Sequence, residues 1–229
     1  MAIQIKNTND IGEVGAKILV YGSAGSGKTS LIPSLPSPIV ISAEGGLLSI
    51  QDAGIPYIEI ASMDDLREVY MWLLESDEAK AFQSVALDSI SEVAEVVLAE
   101  ELNKKTKDGL PMDGRKAYGE MNTTIGGAIR SFRNLPGRNV YMTAKLEKSQ
   151  DEMGKILYNP SMPGKSLTMQ LPYFFDFVFA LRVEKDAEGV SQRALMCDSD
   201  GLWLAKSRSH KLEMWEAPDL GAIIAKIGA

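Results

Sequence analysis

Residues 17–30, KILVYGSAGSGKTS, decide the fold. The first five read as a short buried strand, and a glycine-rich turn follows at once. Residues 22–29 then satisfy G-x-x-x-x-G-K-[ST], placed between that strand and a helix expected to begin near Lys28. Each residue type has a physical reason. Gly22, Gly25 and Gly27 let the backbone N–H groups, including those of Ser23, Ala24, Ser26 and Ser30, turn inward around phosphate oxygens. The helix start points its positive end at the same charge. Lys28 reaches the β- and γ-phosphates, and the Thr29 hydroxyl ligates Mg²⁺. The run from Gly22 to Ser30 is therefore expected to hold a nucleoside triphosphate with magnesium.

Working outward, the proline cluster Pro33, Pro36 and Pro38 stops the helix early. Residues 39–42 (IVIS) read as a second strand, ending at Ala43 and Glu44, and residues 57–60 as a third. Ser62 is a plausible N-cap with Asp64 and Asp65 in the first turn, and Leu66, Tyr70, Leu73 and Leu74 follow at helical spacing. A fourth strand at 84–88 precedes a helix over 90–102. Residues 103–118 carry two Gly and one Pro without periodicity and read as a mobile basic loop. A helix over 119–134 leads into a fifth strand at 139–143, and residues 146–172 read as a long loop. The alternation over 174–184 sets Phe175, Phe177, Phe179, Leu181 and Val183 on one face. With 191–198 and 202–206 it predicts an antiparallel β-meander. The strand–helix alternation before it predicts an α/β fold with a mostly parallel central sheet flanked by helices.

The strand over 84–88 ends in Asp88, about sixty residues after the P-loop, where such nucleotide-binding folds hold magnesium, usually through water. Ser89 follows where many of them carry a catalytic Glu, so the base has to come from elsewhere. Glu44 is the natural candidate. A carboxylate at the carboxyl edge of a parallel strand next to the P-loop strand faces the ligand crevice, where it can deprotonate an attacking water.

This order of P-loop, strand ending in Glu44, and strand ending in Asp88-Ser89 resembles the RecA-type recombinase core. More closely, it resembles the compact phage RecA-like ATPases implicated in single-strand annealing and recombination. The resemblance covers roughly residues 16–210. It implies one RecA-like ATPase domain over 1–229, with 1–16 as lead-in and the meander over 173–210 extending the sheet. It also implies ATP and Mg²⁺ as cofactors and single-stranded DNA as partner, with a single-strand-binding protein and self-association on DNA as further partners. Thr143 lies where that core has a γ-phosphate sensor, with Lys145 as the alternative. The segments 103–118 and 146–172 match the family's two DNA-binding loops in position. They offer Lys104, Lys105, Lys107, Arg115 and Lys116 to phosphates and Tyr118 or Tyr158 to bases. Lys206 and Arg208, with no acid near them in sequence, match the strand end that such filaments present to a neighbour's nucleotide, as an arginine finger does. The lead-in leaves little room for the docking element of the larger recombinases, so filaments without DNA are not expected. The rival readings are a helicase-type motor on the same core and a nucleotide-dependent switch acting on a protein.

Bulk properties bound these readings. The chain has 229 residues, 45% hydrophobic and 24% charged, the composition of a globular protein. No apolar run approaches the ~20 residues that span a bilayer, so no membrane association is expected, and the single cysteine fits a reducing cytoplasm, the host cytoplasm for a phage protein. A lone Cys197 excludes an internal disulfide framework, and it and His210 read as packing or surface residues. The net charge is −7. It is polarised: residues 44–101 hold fourteen acids against two bases, and 103–133 seven bases against three acids. Such a surface can offer one face to a polyanion.

Overall fold

A computed structural model describes Asn7 and residues 15–106, 109–185 and 188–228. Most of the lead-in and Lys107 lie outside these residues. Six parallel strands form the sheet's centre: β1 (Lys17–Gly22), β2 (Pro38–Ser42), β3 (Tyr57–Glu59), β4 (Ser84–Asp88), β5 (Asn139–Gln150) and β7 (Phe177–Lys185). They lie in the order β3-β2-β4-β5-β1-β7. Antiparallel additions complete it: β6 (Ile156–Ser161) on β5, β8 (Ser191–Met196) and β9 (Lys206–Ser207) on β7, and β10 (Trp215–Glu216) on β8. The expected α/β fold with a mostly parallel sheet and antiparallel strands at the end is what the chain adopts, and it is that of P-loop nucleotide-binding proteins.

Side chains alternate across the central strands, so both faces need cover. From β1, Leu19 and Tyr21 enter one core with β2 residues Ile39 and Ile41. That core is covered by α1 (Met63–Glu75), α2 (Ile90–Asn103) and α3 (Gly114–Arg133). Ile18 and Val20 enter the other, covered by Leu31, Ile32 and α5 (Leu220–Ile227). Each large apolar side chain buried this way contributes about 1.5–3 kcal/mol. Ser62 caps α1 through a capping box with Asp65: Asp65 N–H donates to Ser62 Oγ at 3.1 Å, and Ser62 N–H donates back to Asp65 Oδ2 at 2.9 Å. Such a cap is worth about 1 kcal/mol.

Several expectations are corrected. The segment after the P-loop is a 3-10 turn, Thr29–Ser34, rather than an α-helix, because Pro33 inside it lacks the N–H an α-helix needs. β2 is not beside β1: β5 and β4 stand between them, so Glu44 reaches the crevice from beyond β4. The segment 103–118 is not a loop throughout. α3 begins at Gly114, capped by Asp113, so Arg115, Lys116 and Tyr118 ride on its first turns. The expected long loop at 146–172 is the β5–β6 hairpin followed by α4 (Lys165–Gln170) and a further 3-10 turn. Phe177, Phe179 and Leu181 share a face as expected, but Phe175 precedes the strand and packs into the opposite core. The last strand of the meander shrinks to β9, with Trp203 making only a bridge to Tyr158.

Candidate active site

The P-loop leaves the carboxyl end of β1 and turns at Gly25 (φ 73°) and Gly27 (φ 100°), backbone conformations that glycine adopts freely. Ser26 N–H donates to Ser23 O at 3.2 Å, closing the turn. Lys28 folds back over it, its ammonium donating to Gly22 O and Ser23 O, both at 3.0 Å. Burial holds its pKa below the ordinary lysine value, against the opposing pull of Asp88 and then Glu44. Both carboxylates are thus close enough to be felt by the P-loop lysine. Tyr141, on β5 beneath the loop, donates its hydroxyl to Lys28 O at 2.8 Å and fixes the loop's exit.

Asp88 ends β4 and is 6% exposed. Thr29 Oγ1 donates to its Oδ2 at 2.6 Å, and the fully buried Thr143 donates to its Oδ1. Thr29 and Asp88 therefore meet as hard oxygen donors. Among the described residues no three His, Cys, Asp or Glu side chains converge as a protein cage. Mg²⁺ does not require one, since it is usually bound by one or two side chains together with substrate phosphates and water. The donor set fits that ion.

Glu44 lies just past β2. The β2–β4 pairing sets Ser42 opposite Asp88, and Ala43 N–H donates to Asp88 O at 2.9 Å, so Glu44 and Asp88 share one edge. The Ser89 hydroxyl donates to Glu44 Oε1 and also caps α2, accepting from Glu92 N–H at 3.3 Å. The Asp88–Ser89 peptide is cis. Ser89, which the sequence showed only as standing where a catalytic Glu is often found, and Tyr141, which it did not single out, act as positioning residues on Glu44 and Lys28. Their partners are remote in sequence, and no spacing rule reports them.

The other candidates sit as follows. Thr143 touches Asp88. Lys145 is paired with Glu92 at 2.9 Å and Glu95 at 2.8 Å, which raise its pKa against the effect of burial. Lys206 pairs across from Val178, itself opposite Leu19, away from the chain's own P-loop. Arg208 has an acidic partner after all, Asp176 at 2.7 Å, remote in sequence but adjacent in space. Cys197 is buried, its thiol pushed up to about 12 by burial, and His210 is exposed.

The two basic segments meet. A Cβ on Gly164 would lie 3.1 Å from the Tyr118 ring, which brings the first turns of α3 beside the turn before α4. Lys104 is paired with Glu101 at 2.6 Å. Lys105, Arg115, Lys116 and Lys165 are exposed, and among the described residues no ion pair engages them. An open groove of about 530 Å³ follows, lined by Lys165, Tyr173 and Lys206, with the Lys206 ammonium 5.9 Å from the Tyr173 ring centre. Tyr158 is already stacked on Trp203, 4.2 Å between ring centres, and the Arg182 guanidinium lies 4.3 Å from the Trp203 ring centre.

Comparison with known proteins gives one family, described as "AAA domain", matching residues 14–209. The match runs from just before β1 to just past Arg208 and takes in the P-loop, Glu44, Asp88 and the basic segments. No curated protein matches the sequence. No helix among the described residues is long and apolar enough to cross a membrane.

Proposed function

We propose that this chain, which belongs to the AAA-domain family of P-loop ATPases, hydrolyses ATP with magnesium and couples turnover to single-stranded DNA during annealing or strand exchange. The observation that carries the hydrolytic half is the shared edge of β2 and β4, where Glu44, held by Ser89, stands beside Asp88. Lys28 swings from Gly22 O and Ser23 O to the β- and γ-phosphates. Thr29 and Asp88 would hold Mg²⁺, which would supply charge neutralisation for the phosphoryl group. Ser89 fixes one oxygen of Glu44 and leaves the other to accept a proton from water aimed at the γ-phosphorus. Thr143 reads the same site through Asp88.

The DNA half rests on the cations of α3 and α4. Lys and Arg without ion pairs among the described residues, beside exposed Tyr173, suit a flexible polyanion that carries stackable bases. Lys206 borders that groove, which favours it as a DNA or neighbour contact over a role at its own phosphate site.

The test is phosphate release with and without single-stranded DNA, alongside DNA binding in low salt. DNA-stimulated turnover supports the reading. Turnover indifferent to DNA, with no binding in low salt, rejects the DNA half and favours a switch whose partner is a protein.

A further inference from the structure

We propose that Arg193 is a second phosphate-binding cation, delivered onto the P-loop from β8 of the same chain. The inference rests on the P-loop being the triphosphate site and adds a residue that lies outside its motif. β7 continues past the carboxyl end of β1: Tyr21 pairs with Ala180, and the strand runs on to Lys185 beside the loop. β8 pairs with that extension, Leu195 opposite Leu181 and Arg193 opposite Val183. Leu181 and Leu195 are buried in the core beneath the 3-10 turn that follows the P-loop. Strand alternation sends the Arg193 side chain to the same face.

There it meets the loop. A Cβ built on Gly27 would lie 3.2 Å from Arg193 Cζ, 3.3 Å from Nε and 3.4 Å from Nη1. The guanidinium therefore lies against the glycine that precedes Lys28, in space that a side chain would take. The neighbouring Arg182 is committed elsewhere, to Glu184 at 2.5 Å and to the Trp203 ring. Arg193 has no ion pair among the described residues. An arginine resting on a phosphate cradle without an acidic partner retains its full charge and its forked donors. That geometry matches two phosphate oxygens at once, which a lysine cannot do. Lys28 and Arg193 then approach the triphosphate from two sides of Gly27, and β8 becomes part of the nucleotide site.

The experiment titrates full-length protein with Mg·ATP, Mg·ADP and inorganic tripolyphosphate by calorimetry. It compares wild type, Arg193→Ala, Arg193→Lys and Lys28→Ala, with the melting temperature of each ligand-free variant as a folding control. Arg193→Ala is expected to weaken all three ligands by roughly ten- to hundredfold, the range for a charge-assisted contact. Arg193→Lys, which keeps the charge and loses the fork, should recover part of that loss. Wild-type affinities in Arg193→Ala overturn the inference. So does a loss confined to ATP and ADP with tripolyphosphate unaffected, which would place Arg193 on the base or ribose. If Arg193→Ala fails to fold, the decision passes to Arg193→Lys, whose wild-type affinity for tripolyphosphate overturns the inference and whose loss supports it. Lys28→Ala separates the two levels. Unchanged binding in that variant defeats the P-loop reading itself, whereas weak binding there with wild-type Arg193→Ala defeats only the new contact.

Discussion

The crevice at the carboxyl edge of the sheet and the basic face of α3 and α4 are both polar, and they are organised in opposite ways. In the crevice nearly every functional side chain is already held: Lys28 by two carbonyls, Asp88 by Thr29 and Thr143, Glu44 by Ser89. On the basic face, Lys105, Arg115, Lys116 and Lys165 extend into solvent without ion pairs among the described residues. A site that performs chemistry gains from preorganised dipoles, because they need no rearrangement as charge develops. A surface that follows a flexible polymer gains from long cationic side chains, whose contacts need no single geometry.

The largest expected effect breaks the first half of that contrast. Lys28→Ala removes the motif's own cation and should abolish hydrolysis, with triphosphate affinity down by ~10² or more, read by phosphate release and titration. Next comes the held carboxylate. Glu44→Gln should retain Mg·ATP binding and lower kcat by ~10² or more, and Ser89→Ala should cost about tenfold in kcat at unchanged nucleotide affinity. Full turnover in Glu44→Gln removes Glu44 as the base. On the basic face, a combined Lys105→Ala, Arg115→Ala and Lys116→Ala variant should lose single-stranded DNA affinity. Its log–log salt dependence should flatten by ~0.7 for each phosphate contact removed, while its Mg·ATP affinity stays at wild type. An unchanged salt slope would move the DNA path elsewhere.

The last prediction sharpens the contrast on a single strand. Lys17 opens β1 at the end opposite the P-loop and is buried, its ammonium donating to Arg138 O at 2.5 Å and Leu135 O at 3.4 Å. Burial brings its pKa down from 10.5 to about 8. Between those values the unfolded chain binds a proton that the folded chain has released, so stability should rise with pH across that window. The Lys17→Met variant should lose this rise, seen as a flatter denaturation midpoint against pH, with Mg·ATP affinity unchanged. An identical slope in both proteins would mean that Lys17 titrates normally.

What could be read from the sequence follows the range of the interactions. The P-loop, the strand ending in Asp88 and the Ser62 cap are local patterns, and each lies where its residues put it. The hairpin of β5 and β6 was hidden by Gly154, Pro160 and Pro163, which look like loop residues. Gly154 has φ 79°, and Pro160 lies in β6 at its ladder with β5, two residues past the Tyr158–Trp203 bridge on the strand's other edge, where a missing donor is tolerated. α3 was read too short because Gly114 and Gly119 lower helix propensity, while the Asp113 cap and burial of Ala117 and Met121 override it. Strand order is a long-range property, so the position of β2 beyond β4 could not be read from any window of sequence. The same is true of the Arg208–Asp176 pair and of Arg193 on Gly27.

β5 runs as a single strand from the crevice to the wall of the groove. Its inner half carries Thr143 against Asp88. Where it leaves the core, Lys145 N–H donates to Ser91 Oγ at 3.0 Å, and Ser91 Oγ donates to Ser161 O at 2.7 Å, clamping both hairpin strands to α2. Its outer half runs to Gln150 on the wall of the groove. At ~3.3 Å per residue, the reach from Thr143 to Gln150 is about 23 Å. A strand fixed at Thr143 and again at Lys145 therefore sets where the wall of the groove stands relative to Asp88.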